Sequence, residues 1–333
     1  MKKYNFAVVG ATGLVGRTFL KVLEEYDLPI NELKLFASEK SEGKTLNFKG
    51  KPYTVHALKE GEFKGIDFAL FSAGASVSKI WAPIAAKEGA LVVDNSSCWR
   101  MDKSCALIVP EINLDDYKDH GRIIANPNCS TIQSVLPLKA LDKVFNIKRI
   151  VYTTYQACSG SGEKGILDLA RCEKGEKNEF YPYNIAKTCI PEIDEFLDNG
   201  YTKEEMKMVN ETHKILHHDD IKISATCVRV PVEKSHAVSM MVEFEKDVSN
   251  LALVREVLKS YPGIKLVDDP KNHLYPVSTM SNDNDFVYVG RIRKDLSCDN
   301  GLLLYCVADN VRKGAASNAV QIVRDIIKEQ EDE

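Results

Sequence analysis

The strongest constraint on this chain is an alternation. Over roughly the first 128 residues, short apolar β-prone runs take turns with runs of helical spacing. Tyr4–Val9 is β-prone, and Arg17–Tyr26 places Phe19, Leu20, Leu23 and Tyr26 on one side of a helix. Leu33–Ala37 and Ile66–Ser72 are further strands, and Ser76–Glu88 is a helix. Ala90–Asp94 and Arg122–Ala125 complete the series. Strands joined through helices pair in parallel, and a parallel sheet needs helices on both faces. The pattern predicts a doubly wound α/β domain.

After Cys129 the rhythm changes. A helix is predicted over Ser130–Val144, a strand over Arg149–Tyr155 and a polar helix over Thr202–Leu216. Longer strands follow at Ile223–Val232, Ala237–Lys246, Phe286–Lys294 and Leu302–Ala308. Val238, Met240, Val242 and Phe244 alternate with more polar neighbours, as on a half-buried strand. Ser297-Cys298-Asp299-Asn300-Gly301 has the chemistry of an antiparallel turn. These features predict a second, α+β domain with a largely antiparallel sheet. The last helix, Ala315–Lys328, can pack on either domain, and the acidic tail Glu329–Glu333 is expected to fray. A length of 333 residues suits two domains with a core each.

Gly10-Ala11-Thr12-Gly13-Leu14-Val15-Gly16 joins the first strand to the first helix. Glycines there permit a tight turn and the close approach of a pyrophosphate, which the helix N-terminus then attracts. The spacing is G-x-x-G-x-x-G. Its strand–turn–helix context favours a Rossmann-type dinucleotide site over a bare βα turn. The second strand ends in Ser38, followed by Glu39, Lys40 and Ser41. Ser38, Lys40 and Ser41 suit a ribose 2′-phosphate, whereas Glu39 suits a free 2′-hydroxyl. The balance favours NADP.

A net charge of -4 argues against a nucleic-acid binder. No apolar run reaches the roughly 18 residues of a membrane span, and no signal peptide precedes Tyr4. The nine cysteines are irregularly spaced and lack C-x-x-C, which disfavours a disulfide framework or a metal site. Most are expected to be buried hydrophobes in a reducing cytosol.

Cys129 is the exception. Asn126-Pro127-Asn128-Cys129-Ser130-Thr131 opens a helix, where the dipole favours thiolate. Asn128 offers an amide donor beside it. Such a thiolate can form a thioester that a nicotinamide reduces by hydride transfer.

These motifs together resemble the aspartate-β-semialdehyde dehydrogenase family, in its bacterial form, essentially end to end. The resemblance is carried by Gly10–Gly16, Asp94–Asp102, Val109–Asn113, Asn126–Gln133, Gln156–Gly162, Glu211–Leu216, Arg229–His236 and Asp309–Asn318. It implies NADPH-dependent reductive dephosphorylation of L-aspartyl 4-phosphate to L-aspartate 4-semialdehyde, in lysine, threonine and methionine biosynthesis. It also implies an architecture like that of glyceraldehyde-3-phosphate dehydrogenase, with an NADP-binding domain of residues 1–128 and 314–333. Residues 129–313 would be the catalytic and dimerisation domain of a cytoplasmic homodimer, or of a dimer of dimers.

By the same resemblance Cys129 is the nucleophile and His236 the general acid/base. Gln156 orients the acyl group, and Asn128 with the Cys129 N–H stabilises the oxyanion. The substrate's carboxylate suits the planar fork of Arg229. Glu211 suits the ammonium, Lys214 the phosphate, and Arg100 is the second phosphate ligand. A turn at Glu233–Ser235 is expected to fold Arg229 and His236 together as a hairpin. Thr12, Val15, Ser72, Ala73 and Gly74 join the cofactor face, as do Ser159, Gly160, Gly162, Asn310, Lys313 and Gly314. His217 and His218 are expected to face solvent.

Some positions depart from the family pattern. Lys40 stands near a usual Arg, which weakens the preference for the 2′-phosphate. Cys158 and Ser161 replace other small residues, and Cys158 is expected near Cys129. N-acetyl-γ-glutamyl-phosphate reductase shares the logic of the reaction, but its substrate has no ammonium for Glu211. A catalytically dead NADP-binding scaffold is the other alternative, disfavoured by Cys129, Gln156 and His236.

Overall fold

The computed structural model describes residues 2–332, which fall into two compact units. One runs through Pro127 and resumes at Ala315; the other is Asn128–Gly314.

The first unit contains β1 (Tyr4–Val9), α1 (Leu14–Glu25), β2 (Ile30–Ala37), β3 (Thr45–Phe48), β4 (Lys51–Ala57), β5 (Phe68–Phe71), α2 (Ala75–Lys87), β6 (Leu91–Asp94), β7 (Ala106–Leu107), α3 (Pro110–Asn113) and β8 (Ile123–Ala125). Its sheet has the order β3-β4-β2-β1-β5-β6-β8-β7. All pairs are parallel except β3 with β4. Phe6, Val8, Leu35 and Leu70 enter one apolar cluster, and Ala7, Val9, Phe36 and Phe71 enter another. The sheet is thus buried on both faces, as its continuous apolar strands require. The strand order reverses beside β1, and the crevice at such a point is where α/β sheets take ligands.

The second unit contains α4 (Cys129–Phe145), β9 (Ile147–Gln156), α5 (Glu163–Glu173), α6 (Lys203–Leu216), β10 (Lys222–Arg229), β11 (His236–Phe244), α7 (Leu251–Ser260), β12 (Ile264–Leu266), α8 (Ser278–Ser281), β13 (Val287–Lys294) and β14 (Gly301–Ala308). The sheet order is β10-β9-β11-β14-β13-β12. The three inner pairings are antiparallel, while β10–β9 and β12–β13 are parallel. The predicted turn at 297–301 does join antiparallel strands, β13 and β14. The hairpin predicted between Arg229 and His236 does not form. β9 lies between β10 and β11, so the segment 230–235 crosses the end of β9 instead. α4 is buried nearly all round, which explains its apolar composition on every face.

The chain returns to the first unit through a π-helical turn, Arg312–Ala316, and ends in α9 (Ser317–Asp332). Ala319, Val320, Ile322, Val323, Ile326 and Ile327 join Phe19 and Leu23 in one apolar cluster of the first unit. Glu329 does not fray: Tyr117 Oη donates to its Oε2 at 3.0 Å, and Lys118 Nζ stands 3.3 Å away. Glu333 lies outside the described residues. Among the described residues, no helix is long and apolar enough to cross a membrane.

Candidate active site

In the first unit the glycine loop leaves β1 with Gly10 at φ 84°. A Cβ on Gly10 would stand 2.2 Å from the Ser72 carbonyl oxygen, and one on Gly16 would stand 2.0 Å from the Gly10 carbonyl oxygen. Only glycine lets the two strand ends and the first turn of α1 close up in this way. α1 has no side-chain cap at Gly13 and no acidic residue in its first turn. Its first N–H groups and its dipole are therefore available to an anion.

A cavity of about 840 Å³ opens there, lined by Gly10, Thr12, Gly13, Ser38, Glu39, Lys40, Ser72 and Ala73 among the polar or small residues. Val9, Ala37, Ala57, Leu58, Val77 and Trp81 supply its apolar wall. Ser38, Glu39 and Lys40 share the rim, as a nucleotide ribose would require. Five of the members expected from this unit do not line the cavity, nor do Ser159, Gly160, Gly162, Asn310, Lys313 and Gly314 of the second. Leu14 and Gly16 belong to α1, where Gly16 is buried for packing, and Val15 lies against an apolar cluster. Ser41 is buried, its N–H held by the Ser38 carbonyl at 2.8 Å. Gly74 caps the start of α2 at φ 85°. Arg100 is also in this unit, buried, donating from Nε to the Asn126 carbonyl at 2.9 Å and from Nη2 to that of Asn95 at 3.0 Å.

In the second unit Asn128 is the N-cap of α4, and Cys129 is its first residue. Asn128 Oδ1 accepts from the N–H groups of Ser130 (2.9 Å) and Thr131 (3.3 Å). Its Nδ2 donates to Glu204 Oε1 at 2.8 Å, and its backbone N–H donates to Glu211 Oε2 at 2.6 Å. The expected donor beside the thiol is thus oriented: its oxygen caps the helix, and one of its two Nδ2 protons is held by Glu204. Glu211, itself buried, takes the Asn128 backbone N–H. Gly314 packs under the thiol-bearing residue, since a Cβ there would stand 2.9 Å from Cys129 Cβ.

Gln156, at the end of β9, donates to the same Glu204 oxygen at 3.0 Å and accepts from Thr154 Oγ1 at 2.9 Å. The register pairs Gln156 with Arg229. Arg229 is buried, gives Nη1 to the Ala157 carbonyl at 2.5 Å, and leaves Nε without a hydrogen-bond partner. His236 opens β11. Its Nδ1 accepts from the Ala157 N–H at 2.9 Å, and its buried Nε2 has no partner. In the neutral ring the proton therefore sits on Nε2. Burial first, and the Arg229 charge second, hold its pKa well below 6.5. Both side chains border the missing side chain of Gly160, where a Cβ would stand 2.8 Å from Arg229 Nη1 and 3.0 Å from His236 Nε2. The unpaired His236 Nε2 borders this space that only glycine leaves open, and it and the unpaired Arg229 Nε call for a polar ligand.

The family model "Semialdehyde dehydrogenase, NAD binding domain" matches residues 5–120, and "Semialdehyde dehydrogenase, dimerisation domain" matches residues 138–313. The aspartate-semialdehyde dehydrogenase of Aquifex aeolicus is 56% identical over 98% of both chains. That of Campylobacter jejuni is 49% identical over 97% of both. The chain belongs to the aspartate-semialdehyde dehydrogenase family. It is an oxidoreductase by that membership. Aspartate semialdehyde dehydrogenase II of Vibrio cholerae, solved in complex with ASA, superposes with a TM-score of 0.94 at 44% identity, covering 98% of this chain and 99% of its own. The Candida albicans enzyme solved with NADP gives a TM-score of 0.78 at 25% identity, covering 97% of this chain and 98% of its own.

In this member of the family, several expected residues brace the site from within. Asn310 Oδ1 accepts from Ser159 Oγ at 3.0 Å and from the Ser235 N–H at 2.9 Å. That holds Ser235 at φ 70°, directly before His236. Gly162, at φ 73°, caps the start of α5, and Lys313 is wholly buried. Lys214 is half-buried one turn beyond Glu211 on α6. Cys158 sits with Leu169, Cys172, Tyr181, Ile185 and Ile190. The thiol that Cys129 influences electrostatically is Cys227 of β10, buried and pushed up chiefly by that burial. His217 is exposed in a left-handed C-cap at φ 55°, and His218 is half-buried. Glu204 was absent from the sequence reading. Its only signal there is the Glu204-Glu205 pair opening a helix, which also describes any ordinary helix start.

Proposed function

We propose that the chain reduces L-aspartyl 4-phosphate to L-aspartate 4-semialdehyde with NADPH, through a thioester on Cys129. One observation carries the reading. The hydrogen-bond chain Asn128–Glu204–Gln156 ties the helix start bearing Cys129 to the sheet end where Arg229 and His236 leave two buried nitrogens unpaired. The family membership supplies the substrate class.

The cavity beside Gly10 fits a dinucleotide: its glycines admit a pyrophosphate, and Ser38 with Lys40 suit a 2′-phosphate. The bound dinucleotide supplies the hydride. The chain's own residues do the rest. Cys129 Sγ forms a bond to the acyl carbon as the carbon–oxygen bond to phosphate breaks, and the thiol proton leaves with the phosphate. Arg229 offers its guanidinium to the substrate carboxylate, Glu211 attracts the ammonium, and Lys214 and Arg100 attract the phosphate. The Gln156 amide orients the acyl group. After hydride transfer to the thioester carbon, His236 Nε2–H and the positive end of α4 stabilise the hemithioacetal oxygen. Collapse of that centre breaks the C–S bond, releases the aldehyde and returns the thiolate, which takes up a proton from solvent to restore the thiol. The second unit, by its family match, pairs two such chains as a homodimer.

The reverse reaction tests this directly. L-aspartate semialdehyde, NADP and phosphate should give nicotinamide reduction that requires phosphate, and NAD should serve less well. Cys129→Ser should lower kcat by at least about 10³ while leaving NADP binding intact. A Cys129→Ser enzyme retaining a tenth of wild-type kcat would remove the covalent step. Phosphate-dependent reduction with an N-acetylated glutamyl semialdehyde alone would move the substrate assignment.

A further inference from the structure

One buried carboxylate has no task in the reaction above. Glu204 is 5% exposed. Its Oε1 accepts from both Asn128 Nδ2 (2.8 Å) and Gln156 Nε2 (3.0 Å), and its Oε2 accepts from Lys207 Nζ (3.0 Å), one turn along α6. Lys207 also donates to Asp194 Oδ2 at 2.7 Å. A buried ion persists only where several partners hold it, and here two of the partners are side-chain amides flanking Cys129. An ionised carboxylate accepts hydrogen bonds and donates none. Both amides must therefore turn their NH₂ groups toward Glu204. Their oxygens then take the opposite directions, Asn128 Oδ1 to the α4 N-terminus and Gln156 Oε1 to Thr154.

We propose that Glu204 is a positioning residue of the reduction: its carboxylate sets the orientation of the Asn128 and Gln156 amides around Cys129, and Lys207 holds its charge in place. The role in turnover rests on the reaction proposed above, whereas the orientation rests on the geometry alone. A structural hub for α6 would need no such pair of amides. The capping box of that helix already uses the neighbouring Glu205, which accepts from Thr202 N–H and from Cys227 N–H.

The charged and titratable groups around Glu204 include Lys207, Glu205 and Glu211 of its own helix, Asp194 from the preceding segment, Cys227 from β10 and Cys129 from α4. Burial pushes the Glu204 carboxyl up. The Lys207 charge, with the hydrogen bonds from Asn128, Gln156 and Lys207, outweighs it and holds the group below its ordinary value.

Both amides share Oε1, so Glu204→Gln sets its NH₂ against the Lys207 ammonium or turns an amide over, and either way the charge that fixes both amides is lost. Its kcat in the phosphate-dependent assay should fall by about 10²-fold with KM for the semialdehyde within about threefold, because displaced groups cost turnover more than binding. The pH profile of Cys129 alkylation by iodoacetamide should shift in the same variant. Lys207→Met leaves the Glu204 charge without its counter-ion, which favours protonation. Its kcat should therefore show an acid limb displaced to higher pH than in the wild type. The double variant Glu204→Gln/Lys207→Met should lack that limb. A folded Glu204→Gln enzyme with kcat within about twofold of wild type and an unchanged alkylation profile overturns the proposal. Should Glu204→Gln not fold, Lys207→Met decides by the presence or absence of the displaced limb. A wild-type enzyme inert in the phosphate-dependent assay sinks the reaction instead, and the alkylation profiles still decide the positioning.

Discussion

Burial and the Arg229 guanidinium hold the His236 ring neutral, with a pKa well below its ordinary 6.5. The sign of the consequence follows from linkage. Below 6.5 the unfolded chain binds a proton at this ring that the folded chain refuses, so stability falls as pH falls toward the folded pKa. The loss from this ring alone approaches about 1.4 kcal/mol per pH unit. Urea unfolding of wild type and His236→Gln between about pH 7 and 5 measures it, with the wild type losing more stability over that range. Parallel curves would mean that His236 charges freely in the fold. A residue is legible in the sequence where its chemistry is unusual for its setting. A cysteine after Asn-Pro-Asn at a helix start is such a case, whereas His236 entered only through the family resemblance. Glu204 was not legible, because a glutamate in the first turn of a helix is expected there anyway. Only the three-dimensional approach of Asn128 and Gln156, 76 and 48 residues away, makes it specific.

At the scale of elements, α6 carries Glu204, Glu211 and Lys214, so its first turn sets where they stand. That turn is closed by a capping box: Thr202 Oγ1 accepts from the Glu205 N–H at 3.2 Å, and Glu205 Oε2 accepts from the Thr202 N–H at 2.7 Å. Thr202→Ala removes half of the box in a buried position and should cost about 1 kcal/mol, whereas Thr202→Ser should cost little. The urea midpoint of each variant checks this, and equal losses would show that the lost methyl group rather than the cap is responsible. Periodicity found α6 as a polar helical stretch over Thr202–Leu216. It did not find the β3–β4 hairpin. There only Phe48, Val55 and Ala57 are buried, and the turn at Lys49-Gly50 relies on two positive φ angles, 49° and 74°. Two-residue turns of this kind are familiar with Asn-Gly, and Lys-Gly gives no comparable signal. The misplaced Arg229–His236 hairpin has a different origin. A short turn between two strands implies neighbours, but a third strand came between them, and strand order is not written locally.

For the whole molecule, the decisive surface is the face of the second unit's sheet that α4, α6 and α7 do not cover. Buried and half-buried residues alternate along β9, β11 and β14. The register then assembles the outward set into rows: Val151, Met241 and Leu303 in one, and Thr153, Ser239 and Tyr305 in the next. Tyr155 extends the patch, its ring tilted against that of Tyr305 with centroids 6.2 Å apart. A flat patch of Val, Met, Leu and Tyr with only hydroxyls among them has the composition of a permanent interface core, and a two-fold axis through it pairs the patch with itself. Met241→Glu would bring two carboxylates together across that axis in a dry environment. It should weaken self-association by at least about 10³-fold, the scale of a disrupted interface centre. Light scattering during gel filtration at micromolar concentration should then find one chain where the wild type shows two, with unchanged circular dichroism. Turnover should fall along with the mass, because β9 presents Tyr155 to this face and Gln156 to the opposite one. A Met241→Glu protein that still weighs two chains would place the interface elsewhere. A monomer of full activity would show instead that each protomer holds Gln156 and Glu204 in place unaided.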